Sequence, residues 1–358
     1  MNGDWNRKRS RAKASLRLIA ALLLTGGLLQ ACNGDGASAP SPTATAPAAP
    51  DPSLPGTYPV GVTELTFIRE SNTTGEERIL KTLIWYPADE SARDHPVEPS
   101  LGGVIDAEMA ADGAPFPLVI FSHGSGGIPQ QSTYYTGHLA SHGFVVAAPP
   151  HPGNTLNDCF PCREQAGLLD SFLNRPDDVR FVLDSLLALN DDAESIFHEA
   201  LDPERLGISG HSFGGLVTMQ LAQKDSPFSA ALAMAPPGGS LANLTIDVAI
   251  PTLIMGGRLD RATPAEQQED YFDAIDGVPH FLLLFPQGGH LSFGDVCVPA
   301  LGGCEEGLSQ ERAHELINLY ATAFFKTYLA GEKGYENYLT PETAAGNPDI
   351  EFFASVPQ

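Results

Sequence analysis

The sequence predicts an α/β fold: a mostly parallel central sheet with helices on both faces and an antiparallel hairpin at the N-terminal end. Three observations carry this. Short continuous apolar runs, such as Leu118-Val119-Ile120-Phe121 and Val145-Val146-Ala147-Ala148, read as strands buried on both faces. Stretches with helical apolar spacing alternate with them, the pattern of a covered parallel sheet. Between residues 206 and 222, an apolar strand runs into a glycine-flanked serine and then a helix.

The elements follow in order. Residues 62–69 alternate as a strand, Asn72-Thr73-Thr74-Gly75 reads as a turn, and residues 78–86 return as the second strand of a hairpin. Residues 88–115 are an irregular excursion rich in Pro, Gly and acidic side chains. A strand is expected over 116–121, a helix over 133–141 and a strand over 144–148. Residues 149–174 read as a long loop. A helix over 175–190 is signalled by Val179, Val182, Leu183 and Leu186. After the serine turn come strands over 230–235 and 252–255, a helix over 265–275 and a last core strand over 281–285. A long amphipathic helix covers 309–329.

Residues 1–31 stand outside this fold. Arg7, Lys8, Arg9, Arg11, Lys13 and Arg17 form a basic region, and residues 18–29 an apolar run too short to span a bilayer comfortably. Leu29-Gln30-Ala31-Cys32 resembles the bacterial lipobox, which implies cleavage before Cys32 and lipidation of its thiol. The expected location is therefore outside the cytoplasm, on the outer membrane or cell surface. An ordinary secretory signal with a chance cysteine is the alternative. Residues 32–56, rich in Ala, Pro, Ser and Thr, read as a tether. The expected catalytic domain is 57–330, followed by a C-terminal tail over 331–358.

The chain has 20 Lys and Arg against 44 Asp and Glu, a formal net charge of −24. Removing the six basic residues and one Asp of residues 1–31 leaves 14 basic and 43 acidic residues, a net charge of −29. Such a surface repels nucleic acid and anionic membranes. Besides Cys32 there are Cys159, Cys162, Cys297 and Cys304. An even count in an exported chain reads as two disulfides with the pairing open, and a zinc site is the lesser alternative.

The chemistry centres on Gly210-His211-Ser212-Phe213-Gly214. A G-x-S-x-G between a strand and a helix is the setting of a nucleophile elbow. The two glycines leave room where the backbone turns tightly. Ser212 is the candidate nucleophile, and the Phe213 N–H, at the helix start, a candidate oxyanion donor. A nucleophilic serine needs a base, and the base an orienting acid. Asp260 follows a predicted strand in Gly256-Gly257-Arg258-Leu259-Asp260, and His290 follows another in Gln287-Gly288-Gly289-His290. Both lie where parallel sheets place their chemistry. Asp273, Asp276 and Asp295 are weaker rivals for the acid. His280 opens a strand and reads as structural, and His211 is expected to face away from the nucleophile and pack or hydrogen-bond. In Ser122-His123-Gly124-Ser125-Gly126-Gly127, the N–H of Ser125 is the second oxyanion candidate, with His123 bracing the loop.

These segments together resemble the dienelactone-hydrolase-like branch of the α/β-hydrolases, which is similar to the platelet-activating-factor acetylhydrolases. The resemblance is carried by His123-Gly124-Ser125-Gly126-Gly127, Ala148-Pro149-Pro150-His151-Pro152-Gly153-Asn154-Thr155, residues 175–184 beginning Arg175-Pro176-Asp177-Asp178, residues 210–215, and Gly288-Gly289-His290-Leu291-Ser292-Phe293. It covers roughly residues 57–330. It implies an α/β-hydrolase fold and a serine esterase with no cofactor or metal, acting on small-molecule, lipid or polymer esters. Lactone, thioester, amide and short-acyl phospholipid hydrolysis remain rivals on the same scaffold, as does a binding protein on an inactive one. The role of His151 and the oligomeric state stay open.

Overall fold

The computed structural model describes residues 49–159, 165–238, 247–296 and 307–357. Among them, ten strands form one sheet in the order β10-β9-β8-β7-β6-β4-β5-β2-β1-β3. The strands are β1 Val60–Glu70, β2 Glu77–Pro87, β3 Val104–Ile105, β4 Phe116–Ser122, β5 Val145–Ala148, β6 Leu201–His211, β7 Ala230–Met234, β8 Thr252–Gly257, β9 His280–Phe285 and β10 Glu351–Ser355. The stretch from β5 to β9 is parallel, whereas β1 and β2 form an antiparallel hairpin in which Val62 faces Trp85. This is the mostly parallel sheet expected from the sequence, with the hairpin toward one edge.

The apolar runs are continuous because successive side chains point to opposite, equally covered faces. Val119 and Phe121 join one core, under the helices Thr133–Ser141 (α1) and Gln310–Tyr328. Leu118 and Ile120 join the other, with Val179, Val182, Leu183 and Leu186 from the opposite face. Ser309 caps the Gln310–Tyr328 helix by accepting from the Arg312 N–H at 3.2 Å, which satisfies one orphan donor of the first turn. Burying each such Leu, Ile, Val or Phe contributes about 1.5–3 kcal/mol.

Three expectations change. The helix expected over 175–190 spans Gln165–Asn190 and carries Pro176 inside it, so the expected loop 149–174 is shorter and also holds the short helix Leu156–Cys159. The residues after 330 are not a mere tail. Strand β10 pairs antiparallel with β9, and Phe352 stacks on Phe281 and Tyr320 at 6.0 and 5.0 Å. Strand β9 is therefore not the last of the sheet. Cys32, Cys162, Cys297 and Cys304, the signal segment and residues 32–48 of the tether lie outside the described residues, as does the side chain of Cys159. Among the described residues, no helix is long and apolar enough to cross a membrane.

Candidate active site

Parallel strands β4, β6, β7, β8 and β9 end on one edge of the sheet, and their C-terminal loops bring the candidate residues together. Ser212 sits between β6 and the helix Phe213–Leu221. Its backbone has φ +55° and ψ −117°, an unfavourable conformation for a residue with a side chain. The bond from its N–H to the Met234 carbonyl (2.8 Å) and the closeness of its neighbours hold it there. A methyl on Gly214 would lie 1.8 Å from the Ser122 carbonyl oxygen, and one on Gly210 2.4 Å from that of Gly214. The glycines of the motif are thus demanded by backbone packed on backbone.

His290 follows β9 and reaches Ser212 Oγ with Nε2 at 2.9 Å. Its Nδ1 lies 2.7 Å from Asp260 Oδ2. The Asp260 carboxylate is itself tied down. Oδ1 accepts from the N–H groups of Ala262 and Thr263, both at 2.8 Å, and Oδ2 from the Thr263 hydroxyl at 2.8 Å. A carboxylate so placed selects the Nδ1–H tautomer and leaves Nε2 free to accept the serine proton. The rival Asp295 lies elsewhere, accepting from the Thr133 N–H and hydroxyl at the start of α1 (2.7 and 2.6 Å).

The loop after β4 lies against the elbow: a methyl on Gly124 would be 3.4 Å from Ser212 Cβ. The N–H groups of Gly124, Gly126 and Gly127 go to Gln131 Oε1, the Asn154 carbonyl and the Gly124 carbonyl. Among the described residues, no acceptor meets the N–H of Ser125 or Phe213. Gln131, which sequence reasoning missed, also donates from Nε2 to His211 Nδ1 at 2.9 Å, and His211 Nε2 donates to the His290 carbonyl at 2.9 Å. One amide side chain thereby connects the loop after β4, the elbow and the His290 loop. Burial, with the neighbouring His290, keeps His211 well below its ordinary pKa, so it serves as a neutral spacer. His280 stays away from the site, its Nδ1 on the Val278 carbonyl.

Below the elbow lies a second Ser-His-Asp chain. Ser122 Oγ donates to His151 Nε2 (2.9 Å), and His151 Nδ1 donates to Asp178 Oδ2 (3.1 Å). Arg78 forks onto the same carboxylate at 2.9 and 2.7 Å, and Arg69 reaches it at 2.6 Å. Burial and the charge of Arg175 lower the His151 pKa. Burial alone would raise that of Asp178, but its hydrogen bonds from His151 and Arg78 hold it down. All three members are fully buried, so no substrate reaches them, and they act as a brace joining β2, the 151 loop and the helix Gln165–Asn190. The signal in the sequence is periodic: Arg175 and Asp178 fall at helical spacing with Val179, Val182 and Leu186, on the face those apolar residues bury.

A family model described as PETase, PET hydrolase-like, matches residues 119–354, about two thirds of the chain. Cutinase est1 of Thermobifida alba is 26% identical over 231 residues, covering 64% of this chain and 67% of its own. Platelet-activating factor acetylhydrolase of Bos taurus is 26% identical over 157 residues, 34% of this chain and 35% of its own. The structure of a ferulic acid esterase from Streptomyces cinnamoneus superposes with a TM-score of 0.64 at 25% identity, over 84% of this chain and 98% of that one.

Proposed function

The chain belongs to the PET hydrolase-like family and is a carboxylic ester hydrolase of the α/β-hydrolase fold, and from that premise we propose that Ser212, His290 and Asp260 are its catalytic triad. The observation that carries the reading is the unbroken hydrogen-bond chain from Ser212 Oγ through His290 to Asp260, at 2.9 and 2.7 Å. Ser212 Oγ attacks the ester carbonyl carbon while its proton passes to His290 Nε2. The N–H groups of Phe213 and Ser125 receive the oxyanion. The C–O bond then breaks, and the alcohol leaves with the proton from His290. Water attacks the acyl-enzyme by the same route, which releases the carboxylic acid and restores Ser212.

The substrate in this reading is an apolar ester, of the polyester kind that the names of the cutinase relatives and of the family suggest. It is supported by an apolar surface beside the elbow: Phe172 stacks on Phe213 with ring centroids 6.0 Å apart, and Leu169 and Leu173 of the same helix are exposed. The protein works outside the cytoplasm, held by lipid on Cys32 through the tether 32–56, with Cys159, Cys162, Cys297 and Cys304 oxidised in two pairs.

The test is turnover of p-nitrophenyl esters of increasing acyl length, beside a polyester film and a short-acyl phospholipid. Ser212→Ala is expected to lower kcat on every substrate by on the order of 10⁶. Residual activity within tenfold of the parent overturns the triad. Turnover confined to the phospholipid overturns the polyester reading.

A further inference from the structure

Arg175 brings a guanidinium into the interior directly behind the reacting groups. It is fully buried, and burial lowers its pKa to about 9, so it is cationic at neutral pH. A buried cation is tolerated only when its donors are used. Nε donates to Ser171 Oγ at 2.9 Å, Nη1 to the His123 carbonyl at 2.5 Å, and Nη2 to Asn154 Oδ1 at 2.6 Å and the Gly124 carbonyl at 3.3 Å. Its Cζ lies 4.6 Å from the centre of the Phe213 ring.

These partners are specific in a way that a general brace does not require. The Gly124 carbonyl and the Ser125 N–H are the two ends of one planar peptide. Holding the carbonyl toward the interior turns the N–H the opposite way, toward the elbow. His123 Nδ1–H donates to the same carbonyl at 2.7 Å, its tautomer set by the His151 N–H that donates to Nε2 at 3.2 Å. A peptide gripped at its oxygen is also a stronger donor at its nitrogen, because hydrogen bonds in a chain polarise one another. Arg175 also faces the Phe213 ring, which belongs to the residue whose N–H is the other proposed oxyanion donor.

We infer that Arg175 is a positioning residue for both halves of the oxyanion hole, holding the Gly124–Ser125 peptide with its N–H toward the substrate oxygen and holding Phe213 in place. The inference rests on the triad proposed above. Its effect is preorganisation: donors already aimed need no rearrangement as charge develops.

The experiment compares Arg175→Met and Arg175→Lys with the parent and Ser212→Ala, all as the full chain. Active sites are titrated to completion with a fluorophosphonate, and kcat is expressed per titrated site with p-nitrophenyl butyrate. Arg175→Met is expected to lower kcat per site by about 10²–10³-fold, the loss seen for one oxyanion donor, with KM changed by less than about threefold. Affinity for an alkyl boronic acid, whose adduct places a negative oxygen in the hole, should fall in parallel. Arg175→Lys keeps the charge and part of the donor set, and should recover at least about tenfold of the loss. If Arg175→Met does not fold, Arg175→Lys decides: a roughly tenfold fall in kcat and boronate affinity at unchanged KM supports the role. A parental kcat per site, with only fewer titratable sites, overturns it and leaves Arg175 a brace of the fold. Activity in Ser212→Ala instead strikes the triad reading beneath it.

Discussion

Replacing Asp260 with Asn removes one charge and almost no volume, yet the surrounding bonds dictate a large effect. Oδ1 accepts two backbone N–H groups, from Ala262 and Thr263, both at 2.8 Å. An amide nitrogen placed there would face two donors, at about 1–3 kcal/mol for each left unsatisfied. The asparagine oxygen therefore takes the Oδ1 position, and its NH₂ takes that of Oδ2. That NH₂ faces His290 Nδ1, where the carboxylate oxygen lay 2.7 Å away, and the Thr263 hydroxyl, which can rotate to accept. His290 must then offer a lone pair at Nδ1 and carry its proton on Nε2. Nε2–H, 2.9 Å from Ser212 Oγ, can no longer take the serine proton. The wrong tautomer costs about 10⁴ in kcat, some 5.5 kcal/mol at about 1.36 kcal/mol per decade. KM should hold, because the Asp260 side chain is fully buried behind His290. The assay is kcat per titrated site with p-nitrophenyl butyrate, with circular dichroism as the control for folding. Asp295→Asn is the matched comparison. Its oxygen can still accept from the start of α1, so activity should fall by less than about tenfold, with about 1 kcal/mol of stability at risk from a weakened cap. Asp260→Asn within tenfold of the parent, or a greater loss from Asp295→Asn, would refute the assignment.

Gly214→Ala would set a methyl against the carbonyls of Ser122 and His123, at 1.8 and 2.9 Å, and is expected to destabilise the fold by roughly 3 kcal/mol, the upper end for overpacking. An unchanged urea midpoint would show that the elbow can relax. His138 and His142 donate through Nε2 to the carbonyls of Pro52 and Leu54, and clip the N-terminal segment to α1. Burial lowers the pKa of both, that of His142 to about 4, with His138 and Lys326 adding to the shift. Because the folded pKa lies below the unfolded value near 6.5, this stabilisation is complete above about pH 6.5 and is lost as pH falls toward 4. Limited proteolysis around residues 50–57 should accelerate across that window, and His142→Gln should flatten the dependence. Cys32→Ser should release the protein from the membrane fraction with unchanged turnover of soluble esters; continued membrane retention counts against the lipid anchor.

Much of this molecule was legible without coordinates, because the signals are local. Apolar runs of four to six residues bounded by turn residues suit strands covered on both faces, and β4, β5 and β9 lie within a residue or two of their expected bounds. The glycines about Ser212 announce a turn that admits no side chain, and the clash of any methyl on Gly214 with the Ser122 carbonyl shows why. The order of the proposed triad, serine, acid, histidine, is visible in the sequence too, since Asp260 and His290 each follow a strand. Other features depended on partners far along the chain. The apolar spacing that signals a helix over 175–190 begins only at Val179, yet the helix begins at Gln165 and continues through Pro176. The strand Glu351–Ser355 carries the alternation Ile350, Phe352, Ala354, Val356, but that it joins the sheet rather than trailing as a tail is decided by the edge β9 offers it. The charges of Arg69 and Arg78 would pass for solvated surface in any window of sequence, and the helical spacing that puts Asp178 on a buried face names no partner for it. They are buried because the hairpin and the helix Gln165–Asn190, some hundred positions apart, meet there and satisfy one another. Arg175 likewise shares the spacing of the buried face, but that it meets the Gly124–Ser125 peptide there is decided only by the fold. Periodicity and turn chemistry are written in neighbouring residues, whereas the pairing of buried charge is decided only when distant segments leave water together.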